Sequence, residues 1–151
     1  MTRKHSREFA VQIIFSLGFD DNSELKEVLE GWLSESFFTR LSGIDELYGN
    51  MPNDEERAYI IRLVTGAFEH GAELDGYIEK YAVGWRFGRL PRVAVAIMRI
   101  CMFEVLYMHE IPPKASMNEA IEIAKKYEPA DVVSFINGII GSFYKGEVLQ
   151  P

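Results

Sequence analysis

Apolar residues recur along nearly the whole chain at steps of three and four, the period of a helix buried on one side. Phe9, Ile13 and Leu17 fall four apart with Ala10 and Ile14 beside them, and Gly18 closes the pattern, predicting a first helix over about residues 3–18. Leu25, Val28, Leu29, Trp32 and Leu33 form a second stripe. Asp21, followed three residues later by Glu24, has the spacing of a capping box, so this helix is expected to start near residue 23. Residues 39–53 carry Gly43, Gly49, Asn50 and Pro52, which predict a loop with one short helix. Asn53 with Glu56 marks another start, and Tyr59, Ile60, Leu63, Val64, Ala67 and Phe68 carry that helix to about residue 70. A further helix is expected over about residues 72–81.

Pro91 favours a helix start, and the apolar run over residues 93–108, broken only by Arg99 and Glu104 among charged groups, predicts a central core helix to about residue 109. Pro112-Pro113 interrupts the chain. Ser116-Met117-Asn118-Glu119 has the full Ser-x-x-Glu capping spacing and predicts a helix from there to about residue 127. Pro129 opens the last one, to about residue 145. Strand alternation and hairpin signals between β-branched runs are absent. The expectation is an all-α fold, a compact bundle of about seven helices forming one domain over residues 1–151.

On a wheel of the last helix, Val132, Ile136, Ile139, Ile140 and Phe143 fill one arc, Phe135 lies at its edge and Asp131 just beyond. Ala130, Ser134, Gly138 and Gly141 make a small-residue face, and Gly138-Ile139-Ile140-Gly141 is expected to mark a close helix–helix contact rather than a nucleic-acid clamp. A phenylalanine at the rim of a core stripe suits either the core or stacking on an unpaired base.

Charge changes the picture. The net charge is −7, which does not describe a generic nucleic-acid binder. Its distribution is uneven. Residues 2–7 hold Arg3, Lys4, His5 and Arg7 and no acid, residues 20–56 hold eleven acids against Lys26 and Arg40, and residues 80–99 hold five bases and no acid. A polyanion has two basic stretches to meet, the second of which, from Lys80 on, is equally readable as a partner surface or a solvated face. Arg3 and Arg7, four apart, share a helix face with Lys4 alongside.

Catalytic constellations are not found. His5, His70 and His109 are scattered, and no phosphate-binding glycine loop, dinucleotide fingerprint or nucleophile elbow occurs. Neither a metal nor a cofactor is expected, and no enzymatic activity. The single cysteine, Cys101, cannot form an internal disulfide and sits in an apolar context that predicts a buried thiol in a reducing compartment. The basic, then apolar N-terminus mimics an export signal, but Glu8 and Gln12 interrupt it and no small-residue cleavage site follows. The 16-residue core run is shorter than a membrane span. A cytoplasmic protein without membrane contact is expected.

The segments now assemble into a resemblance. Arg3-Lys4-His5-Ser6-Arg7-Glu8-Phe9-Ala10-Val11-Gln12 resembles the arginine-rich opening of the NusB family, with its Arg-Glu-x-Ala-x-Gln core. Ala58-Tyr59 with Leu63-Val64-Thr65-Gly66 resembles the family's third helix. Arg89-Leu90-Pro91, Ala96-Ile97-Met98-Arg99 and Phe103-Glu104 are similar to the region of its fifth. Ile111-Pro112-Pro113 with Met117-Asn118-Glu119-Ala120 matches its Ile-Pro and Ile-Asn-Glu-Ala element. Phe135-Ile136-Asn137-Gly138-Ile139-Ile140 resembles its Phe-Val-Asn-Gly-Val-Leu signature. The match is collinear over nearly the whole chain. His5 stands where members often carry a third arginine, Ser134 where a basic or polar residue commonly precedes the signature phenylalanine, and Ala94-Val95 where an acidic-basic pair is often seen.

The resemblance implies two packed helical subdomains. It implies transcription antitermination: binding the single-stranded boxA element of nascent ribosomal-operon RNA together with a ribosomal protein, NusE, and joining other Nus factors on elongating RNA polymerase. Carried over by position, Arg3, Lys4, Arg7 and Gln12 become RNA-binding residues, Phe135 the base-stacking residue and Asp131 a polar contact to base or ribose. Three basic phosphate contacts would give a salt slope of about −2 on single-stranded RNA. Two alternatives stand beside this: a helical protein-interaction adaptor without RNA binding, and a NusB-like domain related to RNA methyltransferases, inactive as an enzyme for want of a cofactor-binding segment. The small-residue face suits a homodimer as well as a partner complex.

Overall fold

The structure is a computed structural model describing residues 1–17, 24–84 and 89–150. Eight α-helices run along these residues: α1 (Arg3–Leu17), α2 (Leu25–Trp32), α3 (Glu35–Leu41), α4 (Asp54–Glu69), α5 (Gly71–Tyr81), α6 (Arg92–Tyr107), α7 (Pro113–Tyr127) and α8 (Ala130–Phe143). No strand occurs among the described residues. The chain divides into two compact units, Met1–Gly66 and Ala67–Pro151, with the boundary inside α4.

In the first unit, α1 begins after Thr2, whose Oγ1 accepts from the His5 backbone N–H at 3.1 Å as a helix N-cap does. The apolar face of α1 ends in a ring cluster. Phe9, fully buried, stands edge-on to Trp32 with centroids 5.7 Å apart and lies 5.3 Å from Phe38. Residues 34–41 carry the eighth helix, beyond the seven expected. The chain turns after Leu33, and Ser34 Oγ accepts from Phe37 N at 3.2 Å to start α3. The break has a packing cause. On one continuous helix Trp32 and Phe37 would point about 140° apart, whereas across the turn their rings meet at 4.8 Å and both reach Phe9. The short helix expected in residues 39–53 is the 3-10 turn Glu46–Tyr48, capped by Asp45 Oδ1 on Leu47 N at 3.0 Å. The Asn53–Glu56 box closes in both directions, each side chain accepting from the other's backbone N–H at 2.8 Å. Of the box expected at Asp21 and Glu24, Asp21 lies outside the described residues, and Glu24 makes no side-chain cap.

In the second unit α6 is the axis: residues 94–105 are all buried, Cys101 among them, and α5, α7 and α8 pack around it. Arg99 is kept inside by a fork to Asp75 on α5, Nε donating to Oδ1 at 2.7 Å and Nη2 to Oδ2 at 2.5 Å. The cap expected at Ser116 does not form. α7 starts a turn earlier, at Pro113, because proline has no N–H to satisfy and its fixed φ suits the first helical position. Ser116 is therefore inside the helix, and its Oγ and Glu119 Oε2 are buried without a hydrogen-bond partner among the described residues.

The close contact expected at Gly138 and Gly141 is also absent, for a Cβ built on either meets nothing within 4 Å. The core stripe of α8 lies on its other side, so the small-residue face is left open. After α8 the chain continues as a π-helical stretch, Tyr144–Leu149. Here a glycine is required: a Cβ on Gly146 would come within 2.1 Å of Tyr81 Oη. No described helix is long and apolar enough to cross a membrane.

Candidate nucleic-acid interface

The opening of α1 is built to hold positive charge outward. Its first turn contains no acid, so Arg3 and Lys4 oppose the helix dipole. Thr2 offsets part of that cost with its cap. Arg3 and Lys4 are exposed, and the Arg3 guanidinium lies over the Tyr59 ring on α4 with its Cζ 4.1 Å from the centroid. Such a cation–π contact fixes a long side chain without neutralising it. A small hollow of about 190 Å³ opens beside it, lined by Arg3, Ser6, Glu55, Glu56 and Tyr59. His5 faces Glu46 at 3.7 Å.

The other expected residues of α1 sit deeper. Arg7 is only 5% exposed, with its Cζ 5.9 Å from the same Tyr59 ring. Gln12 is half-buried, and its Oε1 accepts a hydrogen bond from Tyr48 Oη, bracing α1 against the 3-10 turn. Tyr59 and Thr2 are the two positioning residues that motif reasoning passed over. The Thr2 signal was present, a threonine just ahead of the basic run. The Tyr59 signal was not, since only the fold puts α4 beside α1.

The second set lies on α8. Asp131 is exposed in its first turn, and Phe135, four residues on and on the same side, is half-buried. Glu128, the residue ending α7, is held above the usual carboxylate range first by burial and then by the negative charge of Asp131. A groove of about 570 Å³ runs between α7 and α8, lined by Asn118, Ile121, Glu122, Lys125, Ala130, Val133, Ser134 and Asn137.

The second basic stretch of the sequence does not face outward as a whole among the described residues. Arg99 is internal and forked onto Asp75. Lys80 Nζ lies 2.8 Å from Glu147 Oε2, which Tyr81 Oη also donates to. Arg86 lies outside the described residues, and Lys80, Arg89 and Arg92 are exposed. Among the described residues no cluster of three His, Cys, Asp or Glu side chains is placed to hold a metal ion.

Known proteins of this shape and sequence are numerous. A sequence model of the NusB family matches residues 4–145. The transcription antitermination protein NusB of Agathobacter rectalis is 38% identical over 143 residues, covering 95% of this chain and 99% of that protein. Its namesake in Clostridium kluyveri is 34% identical over a 157-residue alignment covering 99% of both. Among solved structures, T. maritima NusB superposes with a TM-score of 0.78 at 25% identity, over 97% of this chain and 92% of that one. A chain from a structure of the antitermination factors NusB and NusE in complex with dsRNA shares the fold, with a TM-score of 0.76 at 22% identity over 95% of this chain and 96% of that one.

Proposed function

This chain belongs to the NusB family, and from that premise we propose that it is a transcription antitermination factor that works by binding and carries no catalytic step. Its two units act as one functional domain over residues 1–151. It binds the single-stranded boxA element of nascent ribosomal-operon RNA in the cytoplasm. It does so with the ribosomal protein NusE, within the assembly of other Nus factors and RNA polymerase.

The observation that carries the RNA reading is the exposed Arg3–Lys4 pair in a turn capped by Thr2, with Arg3 steadied on Tyr59. We assign the phosphate contacts to these two side chains. Arg7 and Gln12, both drawn into the unit, are positioning residues that hold the face of α1. Phe135 stacks on an unpaired base and Asp131 accepts from a base edge or ribose hydroxyl. Phosphate contacts position the strand, while contacts to bases choose the sequence.

The test is fluorescence anisotropy of labelled boxA RNA against a scrambled RNA, with and without NusE. Specific binding strengthened by NusE is expected. With two phosphate contacts the salt slope of the isolated protein should be about −1.4. A slope near zero removes the phosphate role from Arg3 and Lys4. Phe135→Ala should weaken boxA binding more than scrambled-RNA binding, and equal losses would remove the stacking role. Absence of RNA binding even with NusE present would favour the protein-adaptor alternative.

A further inference from the structure

The groove between α7 and α8 is a cavity that the proposed contacts leave unused. Its walls come from two of the segments that carry the family resemblance, Asn118 from one and Asn137 from the other. Asn118, Ser134 and Asn137 are exposed, and none of their side chains has a hydrogen-bond partner among the described residues. Ile121 and Val133, half-buried, supply an apolar floor. Lys125 and Glu122 face each other at 3.0 Å on the wall, so the charges there cancel. A net-neutral groove with an apolar floor and amide walls does not suit a phosphate. It suits a flat heterocycle whose face needs apolar contact and whose edge needs both donors and acceptors, which a primary amide provides in one group.

The Ser134 rim of the groove is joined to the proposed stacking residue only around the open side of α8, on which Asn137 lies about 160° from Phe135. At 100° per residue, Ser134, Gly138, Asp131 and Phe135 follow one another within about 100° of arc on α8. Nothing within 4 Å would meet a Cβ at Gly138, so a strand can pass close over the helix there.

We infer that the α7–α8 groove is a second nucleobase site, which takes the nucleotide neighbouring the one stacked on Phe135 and reads its edge with Asn118 and Asn137. This rests on the RNA-binding reading above. It adds a further base contact to that reading, and places sequence discrimination on α7 as well as α8.

The test is an abasic scan of a boxA oligonucleotide, one position at a time, bound to the full-length protein with NusE. The proteins compared are the unaltered chain, the Asn118→Ala/Asn137→Ala double variant and Phe135→Ala, with circular dichroism confirming helix content. Both asparagines are exposed and alanine favours helix, so the double variant should fold. In the unaltered protein two positions should each cost about tenfold in affinity when made abasic, the order carried by one well-made base contact. In the double variant one of the two should become silent while the other still costs. In Phe135→Ala the pattern should reverse. If every abasic position costs the double variant what it costs the unaltered protein, the groove holds no base and the inference falls, while RNA binding stands. If the unaltered protein does not distinguish boxA from scrambled RNA, the reading beneath it falls as well.

Discussion

Removing Asp75 should take from Arg99 the carboxylate that forks onto it inside the second unit. Arg99 has a side chain only 10% exposed, against 25% for Asp75, and the two are joined by paired hydrogen bonds of 2.7 and 2.5 Å. Breaking a buried ion pair from one side costs about 3–5 kcal/mol, because the remaining charge is stranded. The partial exposure of Asp75 puts Asp75→Ala at the lower end, about 3 kcal/mol. The chain supplies its own reporter, since its one cysteine, Cys101, is buried on α6 two residues beyond Arg99. Thiol labelling in the regime where opening is a fast pre-equilibrium follows the open population. At 1.4 kcal/mol per factor of ten, Asp75→Ala should label about a hundredfold faster. Arg99→Met combined with Asp75→Ala removes both charges and should recover to within about 1 kcal/mol of the unaltered protein. A labelling rate unchanged by Asp75→Ala, or a double variant as fast as the single, would refute the stranded-charge account.

Three other outcomes follow from the packing and charge of the second unit. Tyr107 donates to Glu73 Oε1 at 2.6 Å, which pushes its phenol up to about 12; an ultraviolet titration should show a late tyrosine step near 12 that moves back toward 10 in Glu73→Ala, and no change in that variant would dismiss the bond. Glu128 is raised by burial and Asp131, so its folded form favours the proton and ionisation weakens the fold as pH climbs past its ordinary 4.5; Glu128→Gln should raise the neutral-pH melting temperature and flatten its fall between mildly acid and neutral pH, whereas a lower melting temperature would contradict this. Gly146→Ala should drive the Tyr81 ring out and release the last turn, seen as faster amide exchange over residues 144–149. The unaltered protein should show the same loosening as pH falls below the ordinary carboxylate value of 4.5, because Lys80 and Tyr81 hold Glu147 below it. Unaltered exchange in both cases would count against the clasp.

What could be read in advance was local, or periodic along the chain. The Asn53–Glu56 box needed only four consecutive residues and forms as its spacing requires. The same kind of signal failed at Ser116 because a competing start, Pro113, lies three residues upstream and brings its own fixed φ. The α2–α3 break was not anticipated, because its cause, the joint approach of Trp32 and Phe37 to Phe9, is a tertiary fact. Charge was the least transferable signal. Five bases in a row of twenty residues look like a patch, yet Arg99 points inward to Asp75 and Lys80 is paired with Glu147. The α1 candidates divided likewise: Arg3 and Lys4 are outside and Arg7 inside, although Arg3 and Arg7 share the Tyr59 ring. The α7–α8 groove needs two helices brought side by side, which no single-segment pattern contains.

The unused cap at Ser116 gives α7 a property of its own. Two buried oxygens, on Ser116 and Glu119, go unsatisfied while the helix begins at Pro113. Unwinding the first turn would expose Pro113, Lys114 and Ala115 and let those same oxygens close the reciprocal box that their spacing allows. The helix thus carries a reserve origin, one turn inside the one it uses. Two cap bonds gained at the second origin offset part of the helical hydrogen bonds lost at the first. A chain built this way absorbs damage at Pro112-Pro113 by moving where the helix begins, leaving Asn118 and the residues beyond it in register.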